Sequence, residues 1–575
     1  MEIGLISIIV VIVLITGSIV GARIGVAAPL ILILLGIGIG YLPFMPSVVV
    51  SPEIILVGVL PPLLYAAAVN VPLIDFRRNF RPVIGLSVVL VIITTLVVGL
   101  TLHWAVPQVP LPVAFALGAV ISPTDAVAAT AIGKRLGMPD RIVSILEGES
   151  LVNDATSLVL LKTALIALSG SFAFMPAVGM FSYSVATAVL IGFCIGIITV
   201  WVRSKFKNPV YDTVVSFAVP FLAFIPAEEL GASGVLAVVV TGLYTGHHAT
   251  MKFSAIARTN ERLNWRTIQF VLDNGVFLLM GLELHGLVDR VGDSDFHLDT
   301  VILVSFVLVG VLIGCRALFV VPTIWIMRRT ARRIEYRSRG LGLIVKRMQV
   351  HSATTPARLS RTERMAQRSA ADAAHERDAQ LGWRDGMLLS WTGMRGVVTL
   401  AAAQSIPTEV PFREQIVLTA FIVATVTLLF HGLTLPALIR RLWPEGVGGN
   451  DRSELAVLCR DLMTSGINAI DDEIEKEAAA GGPTTPEFIA ERARVSSKNA
   501  LAPLAIALNP MDPNLPSTQE SPAEAYLRLA NVSLEAQRAA LLEERAIGRY
   551  SSRALQQVSR ALDAHENRLT PPAEH

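Results

Sequence analysis

Residues 149–154 read Glu-Ser-Leu-Val-Asn-Asp, which places two carboxylates, a hydroxyl and an amide inside a stretch otherwise apolar enough to cross a membrane. A charged side chain in hydrocarbon is costly unless it is paired or lines a wet cavity, so such residues indicate function. On a helix, Ser150 and Asp154 lie on one stripe, while Glu149 and Asn153 lie on the next. The spacing predicts an ion site on one stripe and a supporting partner on the other.

The composition around this motif is that of a polytopic membrane protein. The 575 residues are 53% hydrophobic and 16% charged, with a mean hydropathy of +0.59. A spanning helix needs about 20 mainly apolar residues. Thirteen such runs predict an all-α membrane protein: residues 3–21, 27–46, 53–74, 82–104, 110–133, 141–168, 176–201, 210–226, 232–247, 267–289, 298–327, 385–406 and 415–441.

The basic residues set the expected orientation. Lysine and arginine clusters follow the third, fifth, seventh, ninth and eleventh runs, whereas the alternate loops carry few positive charges. The positive-inside rule then places the N-terminus outside and the C-terminus in the cytoplasm. Asp212, at the start of a run, is interpreted as an interfacial or funnel charge. The predicted organisation is spans 1–11 in 1–327, a basic cytoplasmic loop in 328–384, spans 12–13 in 385–443, and a cytoplasmic helical regulatory tail in 444–575.

Several function classes lack support in the sequence. The cysteines Cys194, Cys315 and Cys459 are too few and too scattered for a disulfide framework or a zinc cluster. No haem, flavin or nucleotide motif stands out, so we expect no cofactor and no nucleic-acid partner. The rival from another class is an intramembrane aspartyl protease, which needs two mobile catalytic carboxylates.

The fifth run contains a proline beside an acidic residue. Pro123 removes a backbone hydrogen bond, and the irregular backbone that results survives in a membrane only if protein or water satisfies it. Thr124 can offer an oxygen to a cation, and Asp125 can neutralise the positive end of a half-helix. The alternative is a simple proline kink padded by small polar residues.

The twelfth run carries Arg395 between Gly393 and Gly396. Interrupted helices at corresponding positions of two repeats are typical of a transporter's binding site. We therefore predict inverted repeats that cross at broken spans 5 and 12. A buried guanidinium stays charged and needs an anion, for which Glu149, Asp125 and Asp154 are candidates. Glu149 is the preferred partner of Arg395, because an arginine bound to Asp154 would displace a cation.

Together, the motif at 149–154, the Thr124-Asp125 pair and the Gly393–Gly396 segment resemble the signatures of sodium/proton antiporters of the bacterial NhaP and animal NHE type. The resemblance covers about residues 1–441. It implies that Asp154 is the shared cation and proton site, with Asn153 as its stabilising neighbour. Ser150 and Thr124 would contribute oxygens to the transported Na⁺. Asp125 would balance helix ends, and Glu149 would pair with Arg395.

The resemblance also implies a function. We expect electroneutral exchange of Na⁺, or of Li⁺ or K⁺, for H⁺ across the plasma membrane, serving pH and sodium homeostasis; K⁺/H⁺ exchange is the alternative. A homodimer embedded in lipid is expected, with a cytoplasmic regulator that binds the tail. The third run departs from the family pattern, because Ala66–Ala68 stands where many relatives have a carboxylate. The ion preference therefore stays open.

Overall fold

The computed structural model forms two compact units, Met1–Pro444 and Glu445–His575. It describes residues 2–24, 28–42, 51, 53–71, 73–168, 174–206, 208–253, 255–292, 298–350 and 381–443, with residues 362 and 365 and isolated positions between 464 and 495. Most of the predicted tail therefore lies outside the described residues, as does most of the predicted loop beyond residue 350.

The described part of the first unit consists of helices joined by short turns and breaks, with no strand there. Its helices in the first half are α1 (Glu2–Ile24), α2 (Ala28–Gly40), α3 (Leu60–Asn70), α4 (Leu73–Arg78), α5 (Phe80–Ile84), α6 (Leu90–Ala105), α7 (Leu111–Ile121), α8 (Val127–Arg135) and α9 (Asp140–Leu168). Two π-helical segments, Ile54–Val59 and Gly85–Val89, lead directly into α3 and α6.

The remaining helices continue the same pattern. They are α10 (Phe174–Arg203), α11 (Pro209–Glu229), α12 (Gly234–Lys252), α13 (Ala255–Gly292), α14 (Leu298–Val350), α15 (Trp383–Trp391), α16 (Val397–Gln404) and α17 (Arg413–Leu442). Helix α14 extends 53 residues, so it continues well into the segment predicted as a loop.

The prediction of an all-α polytopic membrane protein is confirmed. In its described part, each predicted span coincides with one helix, with two helices separated by a break, or with α-helical and π-helical segments that follow one another directly. In the described part of the chain, seven helices are long and apolar enough to cross a membrane, and shorter apolar helices accompany them. The number of thirteen membrane crossings stays a prediction.

The helices pack as two bundles within this unit. One contains α1–α3 and α10–α13, and the other contains α5–α9 and α14–α17. Close backbone approach holds the first bundle together where α2 crosses α13. A side chain on Gly36 or Gly281 would overlap the backbone of the opposite helix, so both positions need glycine. Small residues of this kind let helices associate closely in a membrane.

The two breaks lie where they were predicted and touch one another. Helix α7 ends at Ile121 and α8 begins at Val127, while α15 ends at Trp391 and α16 begins at Val397. Between the breaks, the Asp125 N–H donates to the Met394 carbonyl over 2.7 Å. This contact satisfies backbone groups that the interrupted helices leave free in the middle of the bundle.

The structure gives Asp212 a partner that was not predicted. Its carboxylate is buried among protein side chains and receives two hydrogen bonds from Arg203 over 2.8 and 2.9 Å. A third bond from Arg203 reaches Glu261 over 2.5 Å, and the guanidinium lies over the ring of Phe253. The cluster thus joins the ends of α10 and α11 to α13. One buried guanidinium thus binds two carboxylates inside the first bundle, where an unpaired charge would be costly.

Candidate cation-binding site

Helix α9 carries the motif at residues 149–154 and lies against the break between α7 and α8. The Ser157 hydroxyl donates to the Ala119 carbonyl over 2.8 Å, which fixes α9 on α7. The Ala126 N–H lies 3.4 Å from the Ser150 hydroxyl oxygen. The motif is therefore held beside irregular backbone, where peptide groups and side chains can both reach an ion.

Asp154 is buried, with 6% of its surface exposed. Among the described residues it forms no hydrogen bond or ion pair, and the charge that acts on it is the like charge of Asp125. A buried carboxylate without a partner is strongly disfavoured in its charged form. Asp154 is therefore the carboxylate of the motif that has no neutralising partner in the described part of the chain.

Glu149 has a different partner from the predicted one. Arg316, on α14, donates from both terminal nitrogens to the two Glu149 carboxylate oxygens, over 2.5 and 2.9 Å. Both side chains are only 2% exposed. A third donor of Arg316 reaches the Leu389 carbonyl over 2.8 Å. The predicted pair of Glu149 with Arg395 is therefore wrong. Both carboxylate oxygens of Glu149 bind Arg316, in the bidentate geometry that arginine and carboxylate groups favour.

Arg395 binds backbone carbonyls instead. Its Nε donates to the Ile121 carbonyl over 3.1 Å, and one terminal nitrogen donates to the Gly393 carbonyl. Ile121 is the last residue of α7, and the C-terminal end of a helix carries partial negative charge. Carbonyl groups at both helix breaks thus contact the Arg395 guanidinium, which also interacts electrostatically with Glu149 without a direct hydrogen bond to it in the described part of the chain.

The Glu149 stripe of α9 is a supporting layer, as the helical spacing predicts. The Thr124 hydroxyl donates to Glu149 over 2.5 Å. The Asn153 amide donates to both the Thr124 carbonyl and its hydroxyl oxygen, over 2.9 and 3.2 Å. The amide oxygen of Asn153 is buried without a partner among the described residues. Thr124 is thus engaged in the framework, while Asn153 keeps one acceptor available.

Asp125 lies at the beginning of both second half-helices. One carboxylate oxygen accepts from the Val127 N–H, the first residue of α8, over 2.7 Å. The same carboxylate lies against the α-carbon of Gly396, which precedes α16. Two helix N-termini, each with partial positive charge, therefore share one carboxylate. This is the geometry that the predicted role of Asp125 in balancing helix ends requires.

Gly396→Ala is expected to lower the thermal unfolding temperature, because a β-carbon there would overlap the Asp125 carboxylate. Overpacking a filled interior costs about 1–3 kcal/mol. The measurement is thermal unfolding of the purified protein in detergent. Gly310→Ala, at a helical glycine with open space around it, is the matched control and should be neutral or stabilising. An unchanged unfolding temperature for Gly396→Ala would contradict this account of Asp125.

Two residues near the site were not predicted as part of it. Arg316 carries a charge in the middle of the eleventh apolar run, and that alone was the available signal. Asp273 is buried on α13 in the other bundle, bonded to Gln269, and it interacts electrostatically with Asp125. A buried carboxylate of the first bundle thus lies close enough to Asp125 to interact with it electrostatically.

The sequence profile described as "Sodium/hydrogen exchanger, transmembrane" matches residues 8–441. This chain belongs to that family. It is therefore a multi-pass membrane transporter and not an intramembrane protease.

Three similar proteins match 72–94% of this chain. The uncharacterized Na⁺/H⁺ exchanger YjcE of Escherichia coli K12 is 28% identical over 94% of this chain and 93% of its own length. An antiporter of Bacillus pumilus, named for sodium, potassium, lithium and rubidium, is 30% identical over 72% of this chain and 58% of its own. The solved sodium/proton antiporter MjNhaP1 of Methanocaldococcus jannaschii shares the fold, with a TM-score of 0.57 and 16% identity over 77% of this chain and all of its own.

Proposed function

We propose that this exchanger moves one Na⁺ against one H⁺ at Asp154. The observation that carries the proposal is that Asp154 is buried at the helix breaks without a partner among the described residues, whereas Glu149 is bound by Arg316 and Asp125 by a helix N-terminus. A carboxylate loaded with either ion is neutral and can cross a low-dielectric barrier. The empty, charged form is costly to move, so transport requires exchange.

The neighbouring oxygens complete the proposed site. Ser150, on the same stripe of α9, and the unpartnered amide oxygen of Asn153 are the proposed neutral ligands for the cation. The Thr124 hydroxyl is already bound to Glu149 and Asn153, so we assign it to holding the helix break in place rather than to the cation itself. Alternating access would come from movement of one bundle against the other.

The setting of the protein is proposed from its family. We place it in the plasma membrane as a homodimer among lipids, with the N-terminus outside and the regulatory tail in the cytoplasm, where a regulator would bind. Its role would be pH and sodium homeostasis. Exchange of K⁺ by the same machinery is the second candidate, because the Bacillus pumilus relative is named for several alkali cations.

Purified protein in liposomes tests the function directly. An imposed pH gradient is read with an internal dye, and Na⁺, K⁺ and Li⁺ are added in turn at equal concentration. Na⁺ is expected to collapse the gradient at the lowest concentration. Preferential collapse by K⁺ would select the second candidate, and no response to any of the three would overturn the exchange proposal.

Electroneutral exchange is a further expected result, because Asp154 alone is proposed to alternate between ion and proton while Asn153 carries no charge. A potential imposed with valinomycin across vesicles of equal internal and external pH should neither drive nor stop Na⁺ uptake, measured with radioactive sodium. The control is a pH gradient without a potential, which should drive uptake in the same vesicles. Uptake driven by the potential alone would contradict the one-for-one stoichiometry.

A further inference from the structure

A cavity of about 360 Å³ lies between α9 and the first bundle. Its walls come from both bundles, with Leu158 and Lys162 on α9 facing Phe181, Glu228 and Val235 on α10, α11 and α12. Lys162, Phe181, Glu228 and Val235 belong to span ends that the topology prediction places on the outer side. The cavity is therefore a vestibule between the two bundles at one end of the protein.

The vestibule continues the face of α9 that carries the proposed ion site. Ser150, Asp154, Leu158 and Lys162 are each four residues apart, so they form a single stripe along the helix. Leu158 and Lys162 line the cavity, and Asp154 is one turn further along the same stripe. The cavity thus lies on the face of α9 that leads toward Asp154, with Lys162 in its wall.

An ion pair crosses this vestibule. The Lys162 Nζ lies 2.6 Å from one carboxylate oxygen of Glu228. The other oxygen of Glu228 accepts from the Gly234 N–H, at the beginning of α12, over 3.0 Å. Glu228 is thus fixed to the turn between α11 and α12, and Lys162 reaches it from the other bundle. The pair thus places the positive charge of Lys162 in the vestibule, where the Glu228 carboxylate neutralises it.

We propose that Lys162 and Glu228 determine the apparent affinity for the cation on this side of the membrane by setting the electrostatic potential of the vestibule. The inference rests on the proposed exchange at Asp154. Two helical turns separate Lys162 from Asp154, a distance of about 12 Å along α9. At that distance, a unit charge changes cation occupancy by about two- to tenfold as the effective dielectric constant falls from that of water toward that of a protein surface.

The two single variants should shift the apparent KM for Na⁺ in opposite directions. Lys162→Gln leaves the Glu228 carboxylate unpaired and should lower KM about two- to tenfold. Glu228→Gln leaves Lys162 unpaired in the vestibule and should raise KM by a similar factor. The double variant should return to within about twofold of the parent. Glu229→Gln, which removes the exposed adjacent carboxylate, is the matched control and should leave KM unchanged.

The measurement uses right-side-out and everted vesicles from a host whose own exchangers are deleted. The shifts should appear when Na⁺ is supplied from one side only. They should shrink when choline chloride raises the ionic strength, because salt screens charges over about 10 Å. Lys162→Met, neutral and of similar length, replaces Lys162→Gln if that variant is not recovered folded.

The outcomes separate this inference from the exchange proposal. Each variant retains Asp154. If every variant exchanged Na⁺ at the parent rate and with the parent KM, only the role of the vestibule would be overturned. Equal shifts in the same direction for both single variants would also overturn it, because a mechanical link between the bundles behaves in that way. Absence of exchange in the wild-type protein would instead contradict the function proposed for Asp154.

Discussion

Replacing Asp154 with asparagine is expected to abolish cation-dependent proton movement while the protein stays folded. Asparagine keeps the size of the side chain but can neither release a proton nor balance a cation. The wild-type carboxylate has no partner among the described residues, so its neutralisation strands no opposite charge. The unfolding temperature should therefore be equal to or above that of the wild type. Dye-monitored exchange in liposomes should fall to the level of empty vesicles.

A carboxylate on the same helix supplies the matched control for Asp154. Glu147 lies two turns earlier on α9 and forms an ion pair with Lys134 over 2.8 Å. The Glu147 side chain is 27% exposed, whereas Asp154 is buried. Exposed pairs of this kind contribute little to stability, about 0–1 kcal/mol. Glu147→Gln should therefore retain most of the exchange activity. Substantial Na⁺-dependent proton movement by purified Asp154→Asn would remove Asp154 from the centre of the mechanism.

The helix breaks could be predicted from the sequence because their signals are local. Pro123 and the Gly393–Gly396 segment disturb the backbone at their own positions, and hydrocarbon tolerates such a disturbance only at buried or wet places. The difference between the two stripes of α9 was predictable for the same reason, since helical spacing alone separates Asp154 from Glu149. In each case the residues concerned are neighbours along the chain.

The partners of the buried charges could not be predicted in the same way. Arg316 and Arg395 are both arginines inside apolar runs, and Glu149 is distant from both along the chain. Which of them contacts Glu149 depends on how α14 and the twelfth span pack against α9. The sequence also gave no reason to expect that carbonyl groups at Ile121 and Gly393 would bind Arg395. The buried pair of Asp212 with Arg203 could not be predicted for the same reason, because it depends on how the helices pack.

The second large effect is expected at the pair of Glu149 with Arg316. Both side chains are buried, and two parallel hydrogen bonds join them. Removing one member leaves the other charge buried without its partner, which typically costs about 3–5 kcal/mol. Glu149→Gln and Arg316→Gln should thus each lower expression and the unfolding temperature far more than Asp154→Asn does. Thermal unfolding in detergent measures the effect.

A double-mutant cycle distinguishes the observed pair from the one predicted by sequence. The Glu149→Gln/Arg316→Gln protein should recover part of the lost stability, because neither member of the pair is left buried without the other. The corresponding cycle with Arg395→Gln is the control. Arg395 binds the Ile121 and Gly393 carbonyls, so its loss should add to that of Glu149 with little recovery. Strong recovery with Arg395 and none with Arg316 would reverse the assignment, because coupling in such a cycle follows direct contact between charges.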